Sequence, residues 1–198
     1  MKKLFVLFTA AAIVCGANQA AFAQADAGLI AKFVDTAKSA KDGQLGVIAS
    51  ELTGKMQSLG ASLGANDAIK AKLDTTLKSL TGGKDSAALE SAFDLVKAAK
   101  LTPDQLGLAK QVGNLASAYV VQKNFATLEG AQGDVGTIVS SLRAGKLTAC
   151  ISPLKNVAAN THMTDGQKQL IGTVADKYAP GWRTAKGAVD AIKKLPGF

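Results

Sequence analysis

The chain has 198 residues, 47% of them hydrophobic but only 5% aromatic, and a formal net charge of +8. That length suffices for one sizeable core. The charge comes almost wholly from lysines spread along the chain, without the clustering and interleaved aromatic rings of a nucleic-acid surface, so nucleic acid is excluded as a partner and weak attraction to anionic envelope surfaces is expected instead.

In chain order, residues 1–23 read as a cleaved secretory signal peptide. Lys2 and Lys3 form the positive start, and Leu4 to Val14 an apolar core too short for an ordinary membrane span. Ala21-Phe22-Ala23 gives the small-x-small pattern ahead of a cut that would leave Gln24 first. Val14 stands where acylation of Cys15 would require Gly, Ala or Ser. Removal of the segment lowers the net charge to +6 and leaves 175 residues, 24–198, as a single all-α domain. Cys150 is then the one cysteine, which rules out an internal disulfide. No segment of the mature chain is long and apolar enough to span a bilayer, and a periplasmic or secreted location is expected.

Helical periodicity runs through the rest. Leu29, Ile30, Phe33, Val34 and Ala37 share a face of a first helix. Leu45, Ile48, Leu52, Met56, Leu59 and Leu63 mark a second. A third carries Ile69, Leu73, Leu77 and Leu80 and stops at Gly82-Gly83. Asp85 or Ser86 is expected to cap a fourth, with Leu89, Ala92, Phe93 and Val96 inward. The fifth presents Leu106, Ala109, Val112, Leu115, Ala116 and Tyr119. The sixth, with Val135, Ile138, Val139 and Leu142, ends near Gly145. Pro153 places the start of the seventh near Ser152. The eighth holds Leu170, Ile171, Val174 and Tyr178, and a ninth runs from Trp182 to Leu195. No stretch alternates with period two, so the fold expected is all-α, with about nine helices.

Two helix starts have the composition of a capping box. Thr102 at the N-cap can accept from a backbone N–H one turn in, Pro103 loses no bond at the first helical position, and Gln105 can reach back to the Thr102 N–H. Leu101 can close a hydrophobic staple on Leu106. Met163-Thr164-Asp165-Gly166-Gln167 repeats the pattern. With Gln44 in a comparable place, glutamines recur at near-equal spacing, 61 and then 62 residues. The expected organisation is three tandem three-helix units, about 24–84, 85–146 and 147–198, stacked as a bundle or short α-solenoid.

Leu101-Thr102-x-x-Gln105 and Met163-Thr164-x-x-Gln167, in an exported, helical, cationic chain, resemble the Spy/CpxP-type LTxxQ family. The resemblance implies a periplasmic helical protein concerned with envelope stress, holding unfolded clients on a basic, partly apolar surface. It covers residues 101–105 and 163–167 only, and the second copy has Met for Leu. The chain also has just two arginines, Arg143 and Arg183, where that family is richer in charge, Met and Arg. Thr102, Gln105, Thr164 and Gln167 are accordingly read as structural helix caps and not as client-binding residues.

Catalytic chemistry is not apparent. His162, the single histidine, has no second donor nearby for a metal site or a triad. Cys150, between Ala149 and Ile151, reads as a small apolar side chain, although an exposed thiol could link two chains. The Gly-rich turns lack the context of a phosphate cradle. The expectation is a non-enzymatic binding or scaffolding protein of the cell envelope without catalytic, metal or cofactor residues, its partner an envelope protein or an unfolded client.

Overall fold

A computed structural model describes residues 27–40, 43–64, 66–98 and 100–179. The expected signal peptide and the ninth helix, from Trp182 onward, lie outside the described residues. Within them the protein is all-α, with no strand. The helices are α1 (Ala27–Ser39), α2 (Gly43–Ser62), α3 (Asp67–Thr81), α4 (Asp85–Val96), α5 (Pro103–Phe125), α6 (Gln132–Arg143), α7 (Ile151–Ala158) and α8 (Asp165–Tyr178). A 3-10 turn, Leu147–Cys150, leads into α7. Pro153 is thus in the first turn of α7, where its missing N–H removes no helical bond. No described helix is long and apolar enough to cross a membrane.

The architecture is built around α5. Its 23 residues span about 35 Å at the helical rise, and every residue from Leu115 to Gln122 is buried. The periodic pattern gave α5 a single apolar face. The structure also buries Ser117, Ala118, Val120, Val121 and Gln122, because α2, α4, α6 and α8 all pack against this helix. The sequence signal for this is the run Ala116–Val121, which contains no charged residue, as expected of a helix enclosed on all sides. Ser117 is accommodated because its hydroxyl donates to the Gly113 carbonyl at 2.8 Å.

Elsewhere, α2 lies mainly on α5, α3 mainly on α4, and α6 on α5. Two ring contacts tie helices together, one between α1 and the central helix and one between two of its neighbours. Phe33 of α1 meets Tyr119 of α5 at 4.9 Å between centroids, and Phe93 of α4 meets Tyr178 of α8 edge-on at 6.0 Å. Asp85 does not cap α4 as expected. The N-cap is Lys84, with no side-chain cap bond, and the Asp85 carboxylate instead accepts from Lys123 Nζ at 2.9 Å and Asn124 Nδ2 at 2.9 Å on α5. A long-range charge-assisted pair has displaced the local cap.

α3 and α6 end in the same way. Gly83 and Gly145 adopt left-handed φ values of 70° and 68°. Lys84 N–H then donates to the Ser79 carbonyl at 2.8 Å and Lys146 N–H to Ser141 at 2.9 Å, while the two glycines donate to Leu80 and Leu142. These are Schellman closures, which glycine allows at no steric cost.

Gly46 marks a close approach of another kind. A Cβ there would lie 2.9 Å from Lys38 Cγ and 3.2 Å from Lys38 Cα, so α2 meets the end of α1 through its missing side chain. A Cβ at Gly136, on the exposed side of α6, would meet nothing within 4 Å. Gly136→Ala should therefore stabilise the protein by about 0.5–1 kcal/mol through helix propensity. Gly46→Ala, despite the same propensity gain, should destabilise it by about 1–3 kcal/mol through overpacking. Urea unfolding followed by circular dichroism measures both, and equal shifts of the two variants would refute the close-approach account.

Candidate functional site

The four residues singled out in the sequence lie at two equivalent helix starts. Thr102 Oγ1 accepts from Gln105 N–H at 3.3 Å, and Gln105 Oε1 accepts from Thr102 N–H at 3.0 Å. At the start of α8, Thr164 Oγ1 accepts from Gln167 N–H at 3.2 Å and Gln167 Oε1 from Thr164 N–H at 3.0 Å. Both capping boxes are thus closed. Each glutamine does something more. Gln105 Nε2 donates to the Ser62 carbonyl at the end of α2, 2.6 Å away, and Gln167 Nε2 to the Asn124 carbonyl near the end of α5, at 2.8 Å. In both cases the acceptor lies 43 residues earlier in the chain. A single amide therefore caps one helix with its oxygen and fixes it to the end of an earlier helix with its nitrogen. Sequence reading assigns the first role but not the second, since spacing within a motif carries no information about a carbonyl so far back.

A cleft of about 640 Å³ lies elsewhere, between α2, α5 and the end of α6. That volume is within the usual range for small-molecule pockets. α2 contributes Glu51 and Lys55, one helical turn apart on the same side. α5 contributes Gln111, Asn114 and Leu115, and α6 contributes Ser140, Leu142 and Arg143, followed by Ala144 and Gly145. The Schellman closure at Gly145 ends α6 here, which leaves Arg143 in its last turn, a favourable place for a cation beside exposed carbonyls.

Arg143 joins α6 to α2 through a two-pronged pair with Glu51: Nε to Oε2 at 2.9 Å and Nη2 to Oε1 at 2.6 Å. The hydrogen bond to Glu51 holds the guanidinium above its ordinary pKa. With side-chain exposures of 32% and 39%, the pair contributes only about 0–1 kcal/mol to stability. Behind the cleft, the Tyr178 hydroxyl donates to Asn114 Oδ1 at 3.0 Å and lies 3.2 Å from Ser117 Oγ. This network holds the Asn114 amide oxygen, and Asn114 lines the cleft.

Cys150 and His162 take no part in the cleft lining. The Cys150 thiol is buried and donates to the Leu147 carbonyl at 2.9 Å; burial raises its pKa, away from a nucleophilic thiolate and out of reach of a second chain. His162 is exposed, with its backbone N–H on Asn160 Oδ1. Sequence reading gives the cleft residues no role: Leu142 counts only as an inward position of a helix that ends near Gly145. One signal was available: an isolated arginine in a lysine-rich chain, since the planar fork that grips a carboxylate is what lysine lacks.

Compared with protein-family models, curated proteins and solved structures, the chain finds no match.

Two predictions follow from this geometry. Gln105→Glu keeps the box acceptor and adds a charge suited to a helix N-terminus, so a pure cap would be unharmed or strengthened. Loss of the Nε2 donor to Ser62 should instead lower stability by about 1 kcal/mol. Thr102→Ala should cost a similar amount through the cap alone. The sign of the Gln105→Glu effect in denaturant melts separates the two roles. The second concerns alkaline pH. Burial raises Tyr178 and Tyr119 above the ordinary tyrosine value of 10.0. Above that pH the unfolded chain releases phenolic protons that the folded chain retains, so stability should fall as pH rises. Tyr178→Phe should flatten this loss, and an unchanged slope in a pH series of melts would exclude Tyr178 as its source.

Proposed function

We propose that the protein is an exported, non-enzymatic helical binding or scaffolding protein of the cell envelope, with the Glu51–Arg143 cleft as its binding site. The observation that carries this proposal is the cleft lining. It supplies a guanidinium, an ammonium, a carboxylate and two side-chain amides, groups able to orient and hold a ligand. The thiol nearest to a nucleophile in kind, Cys150, is buried and protonated. The export signal read from the sequence at residues 1–23 supports a periplasmic or secreted location.

The finer architecture we propose is the set of three tandem units, about 24–84, 85–146 and 147–198. Support comes from features recurring 62 residues apart: the Gln105 and Gln167 bonds, the Gly83 and Gly145 closures, and the helix starts at Pro103 and Asp165. The units are not packed alike, since α5 and α6 run together whereas α2 and α3 touch only slightly. The resemblance to the LTxxQ family suggests client holding as the alternative. Against it, the large hydrophobic side chains exposed among the described residues are Val47 and Leu147, a small apolar surface for an unfolded chain.

Saturation-transfer NMR with a library of polar fragments tests the site. Ser140→Trp, at an exposed position on the rim, should abolish the hits without altering the helical circular dichroism. Hits that survive this substitution would place binding elsewhere. Suppression of client aggregation at near-stoichiometric ratios, also unaffected by Ser140→Trp, would favour the chaperone alternative.

A further inference from the structure

Building on the cleft as the binding site, we propose that its ligand is a small organic carboxylate monoanion, and that Glu51 is an internal substitute for that carboxylate on Arg143. Three fixed charges line the cleft: Glu51, Lys55 and Arg143. They leave one positive charge in excess, which complements a monoanion and not a dianion. The Arg143 fork already grips a carboxylate through two donors, at 2.9 and 2.6 Å, so its orientation suits this group. The incumbent is weakly held, since both partners are about one-third exposed.

Displacement does not strand a charge. Lys55 stands one turn after Glu51 on α2, the favourable order for a Glu–Lys pair at this spacing. The ion pairs among the described residues do not include Lys55. Glu51 can therefore pass from Arg143 to Lys55 as a ligand carboxylate takes the guanidinium. Two further groups define the body of the ligand. The Asn114 amide nitrogen, oriented by the Tyr178 hydroxyl on its oxygen, offers a fixed donor. Leu115 and Leu142 border the cleft beside it as buried side chains. A carboxylate on a compact body fits both.

The test uses isotope-labelled protein, with the Arg143 Nε–H and Asn114 side-chain amide signals followed by NMR during titration with benzoate, benzyl alcohol or inorganic phosphate. Benzoate should shift both signals saturably, at least about tenfold more tightly than either control. Glu51→Gln, which removes the internal competitor, should tighten benzoate binding by about fivefold, the scale of a surface ion pair. Arg143→Lys, which keeps the charge and loses the fork, should weaken it by about tenfold. Circular dichroism establishes that each variant is folded, and Glu51→Asp serves as a second variant if Glu51→Gln is not. Glu51→Gln binding benzoate no more tightly than wild type, or phosphate outcompeting benzoate, would overturn the proposal. If benzyl alcohol shifts the Asn114 amide while benzoate does not, the carboxylate assignment falls and the cleft stands as a binding site. If none of the probes shifts either signal, both fall together.

Discussion

The fold depends on enclosing α5. From Leu115 to Gln122 this helix has no outward face and has to be covered on every side, and α2, α4, α6 and α8 pack against it. Its small residues allow this. Ala116, Ser117 and Ala118 let neighbouring backbones approach, and the one hydroxyl among them is satisfied within its own helix at Gly113. Large rings are used sparingly: Phe33 packs on Tyr119 and Phe93 on Tyr178, and Phe125 is buried in the core.

The ends of this central helix are held by the same device used twice. Gln105 ties the start of α5 to the end of α2, and Gln167 ties the start of α8 to the end of α5. Free helix termini leave four N–H groups or four carbonyls without partners. A glutamine that accepts from one terminus and donates to another reduces both deficits with a single side chain. The bond is short-range in space and long-range in sequence, so it also sets the order in which helices meet. This gives the Thr-x-x-Gln motif a structural role extending beyond the helix it caps.

The cleft is a by-product of the same packing. α6 is stopped at Gly145 by its left-handed turn, and α2 and α5 continue past it, leaving a recess where the end of α6 faces the middles of two longer helices. Buried support behind the recess differs from its lining. Tyr178, Ser117 and the backbone at Gly113 form a buried hydrogen-bonded network, whereas Glu51, Lys55 and Arg143 are partly or fully exposed. Such a division holds one polar group, Asn114, in place and keeps the charged groups at the surface.

Much of this was legible in the sequence. Helix periodicity, the glycine stops at Gly83 and Gly145 and the capping boxes at Thr102 and Thr164 are local, because a helix and its caps are decided by residues within about one turn of each other. Tertiary structure alone decided the rest. Asp85 had the makings of a local cap and was drawn to Lys123 and Asn124, across 38 and 39 residues. Gln105 and Gln167 acquired their second bonds from carbonyls in other helices. Glu51 and Arg143, 92 residues apart, formed the pair that defines the cleft. Periodicity tells a residue which side of its helix faces inward; it does not tell which other helix, or which distant charge, will stand opposite.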